Sequence, residues 1–165
     1  MAGATTTTSV EIEQSAEMVE ITEQLVRSYW MEIETVQNYL ANSVNLVGVR
    51  AERIKKSLAA DVTEELGHAQ KLAERIHVVG GSVPGSEQFQ ADQHSLQPPA
   101  NPSDVVAVIR GVIEAETGAI RQYNRIIRMC DEVDYATQDL CIALLADEEK
   151  HRREFMGYLA EYADQ

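Results

Sequence analysis

The sequence is poor in several residue types, and each shortage argues against a class of protein. Only two of its 165 residues are cysteines, Cys130 and Cys141, and they form no Cys-x-x-Cys pair. Neither a disulfide scaffold nor a cysteine-ligated metal site is therefore indicated, and both thiols are predicted to be reduced and buried. No apolar run approaches the ~18 residues that a membrane-spanning helix needs. Residues 1–14 hold neither a basic region nor an apolar run, so we expect no signal peptide and a cytoplasmic protein.

Basic residues are also scarce. Fourteen Lys and Arg stand against 27 Asp and Glu, which gives a formal net charge of −13 at pH 7. Such a charge repels nucleic acid and anionic membranes and concentrates cations near the protein. We therefore expect no nucleic-acid partner and no membrane partner, and the charge favours metal binding. The alternative is an acidic surface that serves solubility alone.

Strand-like alternation of apolar and polar residues is absent as well, and apolar residues instead recur at three- and four-residue steps. This pattern predicts four long helices in one domain at residues 15–165, preceded by a flexible tail at residues 1–14. Gly48, Gly80-Gly81 and the acidic stretch 131–134 separate the helices, and Ser103-Asp104 can cap the third. All four prolines lie in the segment from about 80 to 102, which is predicted to be a long crossover with at most a short helical turn.

One polar pattern occurs twice in the sequence. A Glu-x-x-His step at Glu65 and His68 returns at Glu148 and His151. Residues three apart share a helix face, so each step aims a carboxylate and an imidazole at one point. Each step follows a Glu-x6-Tyr pair, which places a glutamate and a tyrosine on one stripe of the preceding helix. These pairs are Glu32 with Tyr39 and Glu116 with Tyr123.

The spacing of the two copies predicts that all these residues meet. In an antiparallel hairpin, residues at equal distance from the turn face each other, and Glu32 and the Glu65/His68 pair are centred beside Gly48. The equivalent centre of the second copy falls in the acidic stretch 131–134. Two short hairpins joined by a long crossover between the second and third helices predict an all-α, antiparallel four-helix bundle. Six candidate ligands would converge midway along it: Glu32, Glu65, His68, Glu116, Glu148 and His151.

Four carboxylates and two imidazoles are donors that suit iron or manganese. Buried together without metal, the carboxylates would repel one another, and two divalent cations would cancel their charge. We therefore predict two metal ions per subunit, iron or manganese. Neighbouring acidic residues lie off the stripe: Glu64, Glu114 and Glu149 are predicted to be solvated, and Glu34 does not align with Glu32. Two further histidines, His77 and His94, are out of register and are not predicted to be ligands.

Two roles remain open for Tyr39 and Tyr123. They are either core tyrosines whose hydroxyls bind the ligand carboxylates across the bundle, which we favour, or one of them supplies an electron during O2 reduction. Tyr39 is included among the candidate catalytic residues.

From about residue 15 to 163 the six candidate ligands, their order and Tyr39 resemble the ferritin-like superfamily, most closely bacterioferritin and the bacterioferritin-like Dps-type proteins. The resemblance implies a ferroxidase, in which Fe(II) is oxidised by O2 or H2O2 at a di-iron centre and stored as ferric mineral in a hollow homo-oligomeric shell. It also implies that the six residues are the iron ligands and that Glu65 and Glu148 bridge the two ions.

Two departures from bacterioferritin refine this expectation. The haem-ligating Met of bacterioferritin follows the first Glu of Glu-x-x-His, and Leu66 stands there, so we expect no haem. Bacterioferritin also continues into a fifth helix, whereas this chain ends 14 residues after His151. The resemblance therefore favours a 12-subunit cage over a 24-subunit one.

Two other functions are compatible with the pattern. A rubrerythrin-like di-iron peroxidase or a small di-iron oxygenase would use the same ligands without storing iron. A non-enzymatic helical scaffold would use the inward Glu and His only for specificity, but burying so many carboxylates makes this costly.

Overall fold

The computed structural model describes residues 15–163, and the predicted flexible tail at residues 1–14 lies outside them. Four α-helices account for most of this range: α1 Ala16–Asn45, α2 Ala51–Val78, α3 Val105–Met129 and α4 Tyr135–Ala163. A 3-10 turn, Ser86–Gln88, lies in the crossover between α2 and α3. The predicted all-α bundle with a long second connection is confirmed. Within residues 15–163, no helix is both long enough and apolar enough to cross a membrane.

Local chemistry explains where the helices begin and end. The side chain of Ser15 accepts the backbone N–H of Met18 at the start of α1, and Asp104 accepts that of Ala107 at the start of α3. After α1 and α2 the chain turns at Gly48 and Gly80, whose φ angles are 106° and 87°. Glycine adopts this left-handed backbone without steric cost, so both helices stop where the sequence indicates.

The helices pair as two hairpins, α1 with α2 and α3 with α4, and α1 also packs along α3. Their buried apolar side chains form two separate clusters. One cluster, near the crossover, includes Leu46, Leu58, Ile109 and Phe155. The other, at the opposite end, includes Leu25, Leu72, Ile126 and Leu144, together with Cys130 and Cys141, both free and buried as predicted. The middle of the bundle is therefore left to polar residues.

The crossover is held against α1 and α3 by specific contacts. Gly111 of α3 lets it approach closely, because a Cβ built there would lie 2.4 Å from the carbonyl oxygen of Ser95. Asn42 donates to the carbonyl oxygen of Leu96 at 2.9 Å. Glu34 is buried, although it departs from the Glu32 stripe as expected, and it accepts the backbone N–H groups of Asp92 and Gln93 at 2.9–3.0 Å. This carboxylate anchors the crossover.

Candidate metal centre

The six predicted ligands meet between the two apolar clusters. None of them is more than 3% exposed. Helices α1 and α3 contribute one glutamate each, and helices α2 and α4 contribute one Glu-x-x-His step each. The two steps face each other because the two hairpins fold with the same register. The six residues are Glu32, Glu65, His68, Glu116, Glu148 and His151.

Glu65 and Glu148 occupy the middle of this cluster. His68 Nδ1 lies 3.5 Å from Glu65 Oε2 and 3.1 Å from Glu148 Oε1. His151 Nδ1 lies 3.1 Å from Glu65 Oε1 and 3.6 Å from Glu148 Oε2. Each of these two carboxylates therefore turns one oxygen toward each histidine, which is the arrangement needed to bridge two cations.

The donors form two overlapping groups, each with ligand atoms within 4.8 Å of one another. The first comprises Glu32, Glu65, His68 and Glu148, and the second comprises Glu65, Glu116, Glu148 and His151. The two groups share the central carboxylates and differ in one glutamate and one histidine each. Each group offers oxygen donors and one imidazole, a donor set that suits iron or manganese.

Several of these atoms have no other interaction to satisfy them. Both oxygens of Glu65 and Glu148, and both nitrogens of His68 and His151, are buried without an aligned hydrogen-bond partner among the described residues. Buried polar atoms are normally paired, and eight unpaired atoms in one place would be costly to the fold. Two divalent cations would satisfy the inward-facing atoms, so the residues present fit a di-iron site.

The two predicted tyrosine contacts are present, and they cross the bundle. Tyr39 lies on the same stripe of α1 as Glu32, and its hydroxyl donates a hydrogen bond to Glu116 of α3. The hydroxyl of Tyr123 on α3 donates a hydrogen bond to Glu32 of α1. Burial, reinforced by the adjacent carboxylates, raises the pKa of both hydroxyls well above their usual value. Each tyrosine therefore keeps its proton and fixes the glutamate of the other half of the repeat.

Protons can hold the centre neutral when no cation is bound. Burial and the charges of Glu148 and Glu65 raise the pKa of Glu32 and Glu116 well above the usual value. Although burial alone would lower it, the nearby Glu148 and Glu65 raise the pKa of His68 to about 9 and that of His151 to about 12. Burial opposes ionisation of Glu65 and Glu148, but the two imidazoles outweigh it and lower the pKa of Glu65 to about 2 and that of Glu148 below its usual value. Two imidazolium groups then balance the carboxylates of Glu65 and Glu148, and the raised pKa values of Glu32 and Glu116 favour the neutral form of these two groups.

The acidic residues next to the ligands in the sequence are either exposed to solvent or in contact with a ligand histidine. Glu114 and Glu149 are exposed as predicted, and neither His77 nor His94 belongs to the cluster. Glu64, predicted to be a solvated charge, is only 38% exposed, and its Oε2 lies 3.3 Å from His151 Nε2. Helical periodicity does not indicate this contact, because the period relates residues of one helix to one another and not to residues of the facing helix.

Asp147 is a second acidic residue beside the centre that helical periodicity does not indicate. Its Oδ2 lies 3.4 Å from Nε2 of His68. Asp61 was also missed, and it lies with Glu64 beside His151. The sequence held one usable signal, because an acidic residue immediately precedes the glutamate in both copies of Glu-x-x-His: Glu64 before Glu65, and Asp147 before Glu148.

Known proteins share this fold and, more distantly, this sequence. The DNA protection during starvation protein of Pyrococcus furiosus is 25% identical over 150 residues, which cover 90% of this chain and 78% of that protein. A ferritin-like diiron-carboxylate protein of Bacillus anthracis superposes with a TM-score of 0.78 at 21% identity, covering 88% of this chain and 99% of that one. The dodecameric thioferritin of Bacteroides fragilis, a bacterioferritin-related protein, gives 0.76 at 23% identity, covering 89% and 88%.

Similarity also extends to a whole family. The family model of the ferritin-like domain matches residues 22–163, a range that contains most of α1, all of α2, α3 and α4, and every residue of the central cluster. The chain therefore belongs to the ferritin-like family.

Proposed function

We propose that the protein is a ferroxidase, which oxidises Fe(II) to Fe(III) with O2 or H2O2 at a di-iron centre inside each subunit and stores the product in a hollow oligomeric cage. The observation that carries this proposal is the pair of four-residue groups that share Glu65 and Glu148. A single metal would need only one such group, whereas two groups with shared carboxylates provide adjacent places for two ions.

In this proposal the chain's own residues have distinct tasks. Glu32 and His68 complete one metal position, Glu116 and His151 complete the other, and Glu65 and Glu148 bridge them. Bound iron would supply two electrons, one from each Fe(II), to one oxidant molecule. The tyrosine hydroxyls hold Glu32 and Glu116 in place. The apolar clusters on both sides keep bulk water away from the centre.

Storage is the second half of the proposal. The net charge of −13 would attract Fe(II) to the protein. The Bacteroides fragilis relative is described as dodecameric, and we propose a 12-subunit cage for this chain. Leu66 is half exposed on α2 and offers no atom that could ligate haem, so we propose a haem-free protein.

The proposal is tested by measuring the mass of the purified protein in solution before and after aerobic loading with Fe(II), together with the number of iron ions retained per subunit. A particle of about 12 subunits that keeps many more than two irons per subunit would support both ferroxidation and storage. The matched variants are Glu65→Gln, which alters a shared carboxylate, and Glu149→Gln, which removes an exposed charge on α4. Only Glu65→Gln should lose Fe(II) oxidation.

A dimer or tetramer that saturates at two irons per subunit would contradict storage. It would leave a rubrerythrin-like di-iron peroxidase or oxidase as the function. A wild-type protein that binds no pair of divalent ions would contradict both.

A further inference from the structure

A cavity of about 430 Å³ lies in the groove between α1 and α3, beside the crossover. None of the six central ligands lines it, and its volume is within the range of small-molecule sites, about 300–1,000 Å³. Met31 and Gly118 provide part of an apolar lining, and Gln122 of α3 donates across the groove to the backbone and side-chain oxygens of Gln24 at 3.2 Å. The groove is therefore a second candidate binding site, separate from the metal centre.

Three arginines line one end of this cavity, which we call the arginine end. Arg27 comes from α1, and Arg121 and Arg125 come from α3. Residues four apart lie on one face of a helix with their Cβ atoms about 5–6 Å apart, and like charges at this spacing repel each other. The arginine end therefore concentrates positive charge at an energetic cost that a bound anion would offset.

Carboxylates of the protein leave these guanidinium groups largely unpaired. Among the described residues Arg27 and Arg121 make no hydrogen bond or ion pair, and Arg125 reaches only Glu20, at 3.9 Å with 49% and 60% of the two side chains exposed. Glu34 lines the same cavity, but both of its oxygens accept backbone N–H groups of the crossover. In a chain with 27 acidic and 14 basic residues, the arginine end thus keeps unused donors.

The acidic residues of the cavity lie at its other end. Glu34 is seven residues from Arg27 on α1, and Glu114 is seven residues from Arg121 on α3, which is nearly two turns or about 10 Å along each helix. Because α1 and α3 run antiparallel, both arginines are at one end and both glutamates at the other. Asp92 lies with Glu34, which accepts its backbone N–H. At such a distance physiological salt screens much of their repulsion of an anion, since the Debye length is about 8 Å.

We propose that the arginine end binds a phosphoryl dianion, either inorganic phosphate or the phosphate group of a monoester such as a nucleotide. A guanidinium group offers a planar pair of N–H donors that matches two phosphate oxygens, whereas lysine acts as a point charge. A carboxylate has two oxygens and one charge, which a single arginine satisfies, so three arginines favour phosphate. This inference does not depend on the proposed di-iron function.

An adjoining cavity allows the two sources of phosphate to be distinguished. It measures about 280 Å³, shares Arg27 and Met31 with the first cavity, and is also lined by Trp30. The base of a nucleotide whose phosphate is bound at the arginine end would lie beside this indole ring, and inorganic phosphate would not reach it. Trp30 is the only tryptophan of the chain, so tryptophan fluorescence reports this cavity alone.

The test is equilibrium dialysis of the full-length, chelator-treated protein against radiolabelled orthophosphate and adenosine monophosphate at pH 8, where both phosphates are largely dianionic. Removing metal prevents phosphate from binding to iron. Wild type should bind about one phosphate per subunit. Arg27→Gln and Arg121→Gln should each weaken binding by about tenfold or more, because each loses charge-assisted hydrogen bonds. Arg121→Lys keeps the charge without the planar donors and should fall between Arg121→Gln and wild type.

Arg110→Gln is the matched control. Arg110 is an exposed arginine of α3 that does not line the cavity, so its loss changes the net charge equally and should leave phosphate binding as in wild type. Because Arg27 and Arg121 are also exposed, their substitution should not disturb the fold. Bound adenosine monophosphate that changes the fluorescence of Trp30 supports a nucleotide ligand, whereas equal affinity for both probes without such a change supports inorganic phosphate.

Two results overturn the inference. If Arg27→Gln and Arg121→Gln bind orthophosphate as Arg110→Gln does, the anion is attracted by surface charge in general and not by this cavity. If wild type binds neither probe more tightly than acetate at the same ionic strength, the arginine end is not a phosphoryl site. Both results leave the proposed di-iron function untouched, since that function is tested by iron loading.

Discussion

Tyr39 and Tyr123 each connect α1 and α3 through the hydrogen bond of one hydroxyl. Because the two contacts are equivalent, matched variants can distinguish a structural role of these tyrosines from electron donation. Tyr39→Phe leaves an oxygen of Glu116 without its donor, and Tyr123→Phe does the same to Glu32. Because a buried acceptor that loses its partner costs about 1–3 kcal/mol, both variants should be destabilised by similar amounts in denaturant unfolding of the metal-depleted protein. Fe(II) oxidation measured by stopped flow should slow to a similar extent in both.

An electron-donating tyrosine gives a different result. In that case one of the two variants would lose oxidation rate far more than the other, at equal loss of stability. Rapid-freeze electron paramagnetic resonance would then detect a tyrosyl radical in the wild type and in the less affected variant, but not in the slower one. Such an asymmetry would contradict the positional role that the crossed hydrogen bonds support.

Protons and metal ions compete for the same buried atoms, which predicts proton release on metal binding. Near pH 7 the pKa values of about 9 and about 12 keep His68 and His151 protonated in the metal-depleted protein, and the raised pKa values of Glu32 and Glu116 favour the protonated form of these two groups. Metal ligation requires all four groups to be deprotonated, so binding two Zn²⁺ ions should release more than the two histidine protons, up to about four in all. A weakly buffered titration with an indicator dye measures this number.

Two glutamates of α3 provide the control for this count. Glu116→Gln removes one of the titrating groups and should lower the release by about one proton, provided that two ions still bind. Glu114→Gln, two residues earlier and exposed, should leave it unchanged. Release of only about two protons by the wild type would mean that Glu32 and Glu116 are already ionised without metal and that the histidines alone give up protons.

At the scale of the elements, Gly111 decides how closely the crossover lies on α3. In Gly111→Ala the new Cβ would meet backbone atoms, 2.4 Å from the oxygen of Ser95 and 3.0 Å from Cα of Leu96. The crossover must move, and such overpacking costs about 1–3 kcal/mol, only part of which the better helix propensity of alanine offsets. Denaturant unfolding should show a net loss of stability.

Gly157 of α4 is the matched position, since a Cβ there would have nothing within 4 Å. Gly157→Ala should therefore stabilise the protein by up to about 1 kcal/mol through helix propensity alone. If Gly111→Ala proved as stable as Gly157→Ala, the close approach of the crossover to α3 would be wrong.

The helices themselves were predictable from the sequence because local chemistry determines their ends. Gly48 and Gly80 take backbone angles that other residues avoid, and Asp104 caps α3 with its own side chain. The six central residues were predictable for a similar reason. Each lies on its helix's inward stripe, and the hairpin turns set the register between stripes.

Contacts that depend on a facing element were not predictable in this way. Glu34 is buried only because the crossover brings the N–H groups of Asp92 and Gln93 to it, and nothing in the period of α1 indicates their arrival. Glu64 and Asp147 likewise contact histidines of the facing helix, His151 and His68 respectively. The path of the crossover and the sideways contacts between α2 and α4 belong to tertiary structure, which helical periodicity does not describe.

At the scale of the whole molecule, the core is interrupted by a charged layer between two apolar clusters. The apolar clusters stabilise the fold at any pH, but the central layer is stable only when protons or cations neutralise it. Stability without metal should therefore depend on pH in an unusual direction. Folded Glu32 and Glu116 retain protons that the unfolded chain loses above about pH 4.5, so folding becomes less favourable as pH rises.

His68 acts in the same direction at higher pH. Its folded pKa of about 9 lies above the usual value of 6.5, so its contribution to stability is fully present below about pH 6.5 and is lost as pH rises to about 9, at about 1.4 kcal/mol per pH unit. Glu65, with a folded pKa of about 2, loses its contribution only as pH falls from about 4.5 toward 2, outside this window. Between pH 6 and 9 the unfolding midpoint of the chelator-treated protein should fall steadily.

Metal should oppose this dependence, because deprotonated ligands bind cations more tightly. With saturating Zn²⁺ the unfolding midpoint should be higher at every pH, and the difference between the two forms should widen from pH 6 to 9. The comparison is made by denaturant unfolding at pH 6, 7, 8 and 9, with chelator and with Zn²⁺. A metal-depleted protein whose stability rises with pH across this range would show that the central layer is not neutralised by protons, and a constant gap would show that Zn²⁺ does not displace them. The charged layer would then need some other source of neutrality, since six ionisable groups at 3% exposure or less cannot stay charged and unpaired in the middle of a bundle.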